Sequence, residues 1–295
     1  MSKLTLPRLE VPNVRGIAFE LEPNVLARWN SALAAKDDDD EATISIYDPI
    51  GMDPWSGGGF TVKKAAAILR NLGKRDVTVN INSPGGDLFE GIAIYNLFRD
   101  YAGEVTVRVL GLAASAASVV AMAGDKIQMP RAAFMMIHNV WVMAVGNRND
   151  LRAAADQLET FDDALADVYA ARAGREKKEI AKLMDRETWF SGSQAIEGGF
   201  ADELLPADAT EEKEDVEARA NLRSIDVALA RHGIPRSQRR ALINQMKELA
   251  GTHDAADTQD RSTQAATPKA TQDAGGIGAE VRATTERIRA LIETV

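Results

Sequence analysis

An α/β fold is what this sequence predicts, and three observations carry it. Short strand-forming runs occur at Thr43–Tyr47, Val77–Asn82, Val105–Leu110, Lys126–Met129 and Phe134–Ile137, the first three alternating apolar and polar residues. Between them stand segments whose apolar positions recur every three or four residues, as in Val62, Ala65, Ala66 and Leu69, the spacing of a helix with one buried face. Two of the strands run into a short turn and then a helix, as strands of one sheet joined by helices would.

The 295 residues, 45% of them hydrophobic, supply a core for one good-sized domain and something smaller. With no cysteine, neither a disulfide framework, a thiolate metal site nor a cysteine nucleophile is available, so the chemistry must run on oxygen and imidazole. A net charge of -9 argues against a nucleic-acid partner, because the phosphate backbone would be repelled. The start, Met1 to Pro7, lacks the apolar core of a signal peptide, and no apolar stretch is long enough for a membrane span, so the expectation is a cytoplasmic protein without a membrane partner.

Residues 1–42 form an N-terminal segment without a clear period. It ends in the run Asp37 to Glu41, which reads as a solvated loop, since a calcium loop needs spaced ligands. Thr61 then looks like the N-cap of a helix that ends near Gly73. The strand Val77–Asn82 leads into Ser83-Pro84-Gly85-Gly86-Asp87 and a helix through Ile92, Tyr95 and Phe98. Two adjacent glycines permit unusual dihedrals and let a substrate lie against bare N–H groups, although the same pair also serves as a plain turn.

The stretch from Gly111 to Gly124 is small and apolar enough for a helix buried all round, and it places Ser115 where a strand turns into that helix. A serine there suits a nucleophile, because the free N–H groups of the first helical turn can bind an oxyanion; tight packing or capping is the alternative use of the same residue. Of the three histidines, His138, His232 and His253, only His138 follows core-forming sequence, at the end of the Phe134–Ile137 strand. A rigid support and an ordinary pKa near neutrality are what a general base needs.

From Asn149 to Ala171 runs the longest clean helix, with Leu151, Ala154, Leu158, Phe161, Leu165 and Val168 in a narrow seam and acidic residues around it. The expectation is a projecting helix that meets a symmetry mate, against the alternative of packing on its own sheet. A short helix, Glu176–Met184, precedes Asp185-Arg186-Glu187-Thr188-Trp189-Phe190-Ser191, and Ser191 or Ser193 caps a further helix ended by Gly198-Gly199. Every aromatic residue lies at or before Phe200, so residues 207–295 are read as an extension and not as a second large domain. That extension holds a possible helix pair, Ile225–His232 and Ser237–Ala250, a basic cluster at Arg231, Arg236, Arg239 and Arg240, a Thr/Gln/Ala/Asp linker over 251–276 and a terminal helix.

With these pieces in order, residues 43–206 resemble the proteolytic subunit of the Clp protease, ClpP, and within that family the ClpP-like head maturation (prohead) proteases of tailed phages and prophages. The resemblance rests on Asn82 to Gly86, Gly111 to Ser115, Met136 to His138, and Trp189 to Ser191 through Gly199 to Asp202. It implies a ClpP/crotonase-type repeated β-β-α superhelix with a projecting handle helix, the mostly helical and partly disordered C-terminal extension being additional. It also implies a serine-type endopeptidase (a hydrolase) without cofactor or metal: Ser115 matches the nucleophile, His138 the base, and the amides of Gly85 or Gly86 and of Ala116 the oxyanion hole. The Leu151–Val168 helix matches the one through which two homo-oligomeric rings pack. The family's triad aspartate falls here on Glu187, with Asp185 two residues earlier as the alternative acid. The N-terminal segment lacks the family's axial-loop sequence, which speaks against docking to an unfoldase ATPase. The protein substrate implied is a capsid or scaffold protein of an assembling phage head in the bacterial host cytoplasm. Two other classes suit the same fold: a coenzyme A thioester enzyme of the crotonase type, and a non-catalytic scaffold or assembly component.

Overall fold

The computed structural model describes residues 6–9, 18–19, 21–35, 42–52, 58–206 and 210–212, and a few positions between 225 and 243. The chain divides into two compact units, Met1–Ala220 and Asn221–Val295. In the second, Ile225, Leu229, Gln238, Arg239 and Ala241 to Ile243 are helical, and Leu229 and Leu242 pack with Ile225. The acidic run at 37–41, the linker over 251–276, the terminal helix and the rest of the basic cluster lie outside the described residues, as do His232 and His253.

In the first unit a seven-stranded sheet forms the centre. Its main path runs β10 (Glu203–Leu205), β6 (Lys126–Pro130), β5 (Val105–Ala114), β4 (Val77–Ser83), β3 (Thr43–Ile46), with every neighbouring pair parallel. Parallel strands need crossovers, and the helices α2 (Val62–Leu72), α3 (Leu88–Arg99) and α4 (Ala116–Ala121) supply them. Each begins where the sequence offers a cap or a turn: Thr61 Oγ1 accepts from Lys64 N, and Asp87 accepts from the amides of Phe89 and Glu90. β4 is buried from Val79 to Ser83, polar Asn80, Asn82 and Ser83 included, as a central parallel strand covered on both faces must be.

β5 is ten residues long and forks the sheet. Its first half pairs with β6 at Thr106–Arg108, while its far end, Leu112–Ala114, pairs with β7 (Phe134–Ile137), which in turn pairs antiparallel with β9 (Thr188–Ser191). The buried helix begins at Ala116 with Ser115 at its start, as the sequence indicates, and β5 runs four residues past Leu110 before it. Residues 111–114 stay extended because they have strand partners on both sides, a tertiary demand that small, apolar composition does not reveal. Gly111 itself is wedged: a Cβ there would lie 2.6 Å from Leu33 Cδ2 and 2.9 Å from Asn82 Oδ1.

The long helix α5 (Arg148–Ala173) opens on a capping box between Asn147 and Asp150 and closes on Gly174 in the left-handed conformation. Its two halves differ. Phe161, Leu165, Val168 and Tyr169 are buried in the protomer's own core, with Phe161 edge-on to Phe89 at 5.7 Å between ring centroids. Up to Thr160 the helix is largely exposed, Leu151 at 46%. The expectation of one partner-seeking seam is thus corrected for its C-terminal half, where packing on the same chain wins. After α6 (Lys177–Asp185) and β9 comes α7 (Gly192–Glu197), whose cap is Ser191 in a box with Gln194; Ser193 instead accepts from Arg131.

The N-terminal segment is more structured than its sequence suggested. β1 (Ala18–Phe19) pairs antiparallel with β8 (Val142–Met143), α1 (Pro23–Arg28) follows, and β2 (Leu33–Ala35) pairs antiparallel with β11 (Thr210–Glu212). Val25 and Trp29 pack on Leu112, Ala114 and Met136, and Trp29 Nε1 donates to Asn82 O at 3.0 Å. Asn82 answers by donating through Nδ2 to the carbonyls of Asn30 and Leu33. Among the described residues no helix is long and apolar enough to cross a membrane.

Candidate active site

Strand register brings the site together. Ala114 stands beside Met136 in the parallel β5–β7 pair, and the next amide, Ser115 N–H, donates to Met136 O at 3.1 Å, so His138 emerges alongside Ser115. In the antiparallel β7–β9 pair Met136 faces Trp189 and Ile137 faces Thr188, which carries Glu187 to the level of His138. Residues far apart in sequence are thereby delivered to one sheet end.

Ser115 is the N-cap of α4 with φ 54 and ψ -127, a conformation that strains a residue with a side chain by on the order of 1–3 kcal/mol. It holds Oγ out of the helix, where it meets His138 Nε2 at 2.7 Å. With the ring proton on Nδ1, Nε2 accepts from the serine hydroxyl. Burial holds the His138 pKa below its ordinary value, and the charge of Glu187 acts the other way, so the imidazole is neutral and able to take a proton near neutrality. Ser118 points elsewhere: its hydroxyl lies 2.7 Å from Ser115 O and 2.8 Å from the buried Tyr169 hydroxyl.

The glycine turn lies against the serine. Gly85 has φ 89, and a Cβ on it would stand 2.5 Å from Ala114 O and 2.8 Å from Ser115 Cβ. Gly86 has φ 146 and is bridged to Ile50 through Ile50 N to Gly85 O and Asp87 N to Ile50 O, a pattern that leaves its own N–H unused. Gly85 N–H is engaged by Ser83 Oγ at 3.3 Å. Gly86 and Ala116 line one shallow cleft with Ser115 and His138. Ala116, in the first turn of α4, has no helical acceptor for its N–H. Of the expected oxyanion donors, Gly86 and Ala116 are therefore the free pair.

The two acids expected to orient His138 are differently placed. Asp185 is exposed and accepts from Asn139 Nδ2 at 2.9 Å. Glu187, held at φ 49, accepts from Trp189 Nε1 at 3.0 Å and acts on His138 through its charge without a hydrogen bond to it. The carboxylate that approaches His138 Nδ1 is Glu22, with Oε2 at 4.0 Å and both side chains 12% exposed. Sequence reading missed Glu22; the one local signal is its position before Pro23, as the N-cap of α1. The backbone leaving His138 is also fixed, because Val140 N–H donates to Asp162 at 2.6 Å. Burial of Asp162, with Asp185 and Glu159 nearby, pushes its carboxyl up to about 6.

The family model for Clp protease matches residues 61–208, half of the chain. This chain belongs to the Clp protease family. Its α/β fold, a mostly parallel sheet with helices, is the fold of that family. It is 34% identical over 135 residues to the ATP-dependent Clp protease proteolytic subunit 2 of Thermobifida fusca, a match that covers 45% of this chain and 66% of that subunit, just short of two thirds of its length. It is also 33% identical over 134 residues to subunit 1 of Corynebacterium jeikeium, covering 44% of this chain and 71% of that one. Among solved structures, a point mutant of ClpP1 from Listeria monocytogenes aligns with a TM-score of 0.48 at 22% identity, over 60% of this chain and 94% of that one.

Proposed function

We propose that this chain is a serine-type endopeptidase, and that it processes capsid or scaffold protein during phage head maturation in a bacterial host. The peptidase reading is carried by one observation, the 2.7 Å contact of Ser115 Oγ with His138 Nε2 beside the unused amides of Gly86 and Ala116. Ser115 Oγ attacks the scissile carbonyl carbon while its proton passes to His138 Nε2. The carbonyl oxygen, now an anion, is met by the two amides, and His138 returns the proton to the leaving amine. Water repeats the sequence on the acyl-enzyme. A thioester enzyme working through oxyanion amides alone has no use for such a serine–histidine pair.

The assembly role rests on the layout of the sequence. Beyond the family match at 208 it continues through a polar extension without aromatic residues, which suits a protease joined to scaffold-like helices. A homo-oligomeric ring, packed against a second ring through the exposed half of α5, would enclose the cleft and limit its substrates. A fluorophosphonate probe tests the chemistry: it is expected to label the full chain at Ser115 alone, and a chain left unlabelled, or labelled elsewhere, overturns the peptidase reading. For the substrate, a capsid or scaffold precursor from the same phage genome should gain a new N-terminus when co-expressed with the parent chain and not with Ser115→Ala.

A further inference from the structure

We propose that Glu22, carried by the N-terminal segment, is the carboxylate that orients His138, working as a pair with Glu187. The proposal rests on the peptidase reading of Ser115 and His138 given above.

Glu22 is held from both sides of the cleft. Before it, β1 is paired to β8, which follows His138; after it, α1 is fastened to β5 and β7 through Val25 and Trp29. One carboxylate oxygen, Oε1, accepts from Asn24 at 3.1 Å. The other, Oε2, is buried, has no hydrogen-bond partner, and is the atom that faces His138 Nδ1 at 4.0 Å. A buried carboxylate oxygen without a donor is costly unless a charge or donor comes to it. The imidazole N–H is that donor, and it becomes a cation each time Ser115 gives up its proton. At 4.0 Å the contact is longer than a hydrogen bond, as catalytic contacts often are before substrate closes them.

Glu187 is the acidic neighbour of Glu22. Burial raises the Glu22 pKa first, Glu187 raises it further, and Asn24 and Arg28 pull it back. Glu22 thus faces Nδ1 directly, and Glu187 adds its charge to the same imidazole. Arg28, stacked 4.5 Å over the Trp189 ring, is the cation on that side, and Trp189 Nε1 fixes Glu187. Among the described residues, the charged and titratable groups that act on Glu22 or face it are thus His138, Glu187 and Arg28. In the reaction the Ser115 proton moves to Nε2, the Nδ1 proton stays on the ring and is held by the pair, and no proton passes to either glutamate.

The test is the pH dependence of peptide turnover and of fluorophosphonate labelling in the full chain, for the parent, Glu22→Gln, Glu22→Asp and Glu187→Gln. Glu22→Gln is expected to lower turnover on the order of 10³- to 10⁴-fold. Its acid limb should move to lower pH, because loss of the neighbouring anion lowers the His138 pKa, while its melting temperature stays near the parent's. Glu22→Asp should recover part of the loss, and Glu187→Gln should lose less. Parental turnover with an unmoved acid limb in Glu22→Gln overturns the proposal, as does a loss that Glu22→Asp does not relieve. If Glu22→Gln fails to fold by circular dichroism, Glu22→Asp decides alone: lowered turnover with the parental acid limb supports the role and parental turnover overturns it. A parent chain that does not react at Ser115 overturns the peptidase reading instead, which keeps the two failures apart.

Discussion

At the scale of residues, two serines three positions apart carry opposite tasks. Ser115 stands in a strained conformation with its hydroxyl on His138; Ser118 is wholly buried and its hydroxyl is spent on Ser115 O and Tyr169. Since Ser118 has a single proton and gives it to the carbonyl, the Tyr169 hydroxyl must donate to Ser118 Oγ. Ser118→Ala therefore leaves a buried tyrosine proton unmet, at about 1–3 kcal/mol in stability, with phosphonate labelling retained. Ser115→Ala should abolish labelling with little change in melting temperature. Labelling lost in Ser118→Ala but kept in Ser115→Ala would reverse the two roles. The positions of Ser115, His138 and the glycine turn were legible in sequence because each follows a strand-forming run, and a run of that kind announces where the residues after it will stand. Glu22 was not, because its place depends on β1 finding β8 and on Trp29 reaching Asn82, contacts with no local pattern to betray them.

At the scale of elements, α5 separates what periodicity says from what it leaves open. Spacing of three and four fixed the helix and the residues on its apolar stripe, and the structure has both. The spacing is the same whether the stripe meets the protomer's own core or a second copy, so the division of the helix at about Phe161 could not be read. Phe161→Ala is accordingly expected to destabilise the protomer by about 3–5 kcal/mol, the usual range for emptying a buried phenylalanine site. Leu151→Glu, on the exposed half, should leave the melting temperature alone and reduce the sedimentation coefficient if this half joins two rings. A Phe161→Ala protein as stable as the parent would contradict the burial; a Leu151→Glu protein that sediments like the parent would remove the exposed half from the assembly. The length of β5, which continues past Leu110 to Ala114, has a related cause. Small apolar residues fit a buried helix and a strand paired on both sides equally well, and only the partners β4 and β7 decide.

At the scale of the whole molecule, the family match ends at residue 208 while the first compact unit continues to Ala220, and the difference bears on the site. β11, at Thr210–Glu212, is the strand partner of β2. β2 and the residues before it are tied to β4 by Asn82, through the carbonyls of Leu33 and Asn30, and the same stretch continues back through Trp29 and α1 to Glu22. A chain ended after Pro206 loses the partner of β2 and with it one support of the segment that brings Glu22 to His138. A chain ended after Ala220 keeps that support. The shorter form should therefore label at Ser115 more slowly than the full chain and melt lower, while the form ending at Ala220 labels at the parental rate. Equal labelling by both truncated forms would mean that α1 is positioned by its packing on Leu112, Ala114 and Met136 alone, with β11 contributing nothing to the site.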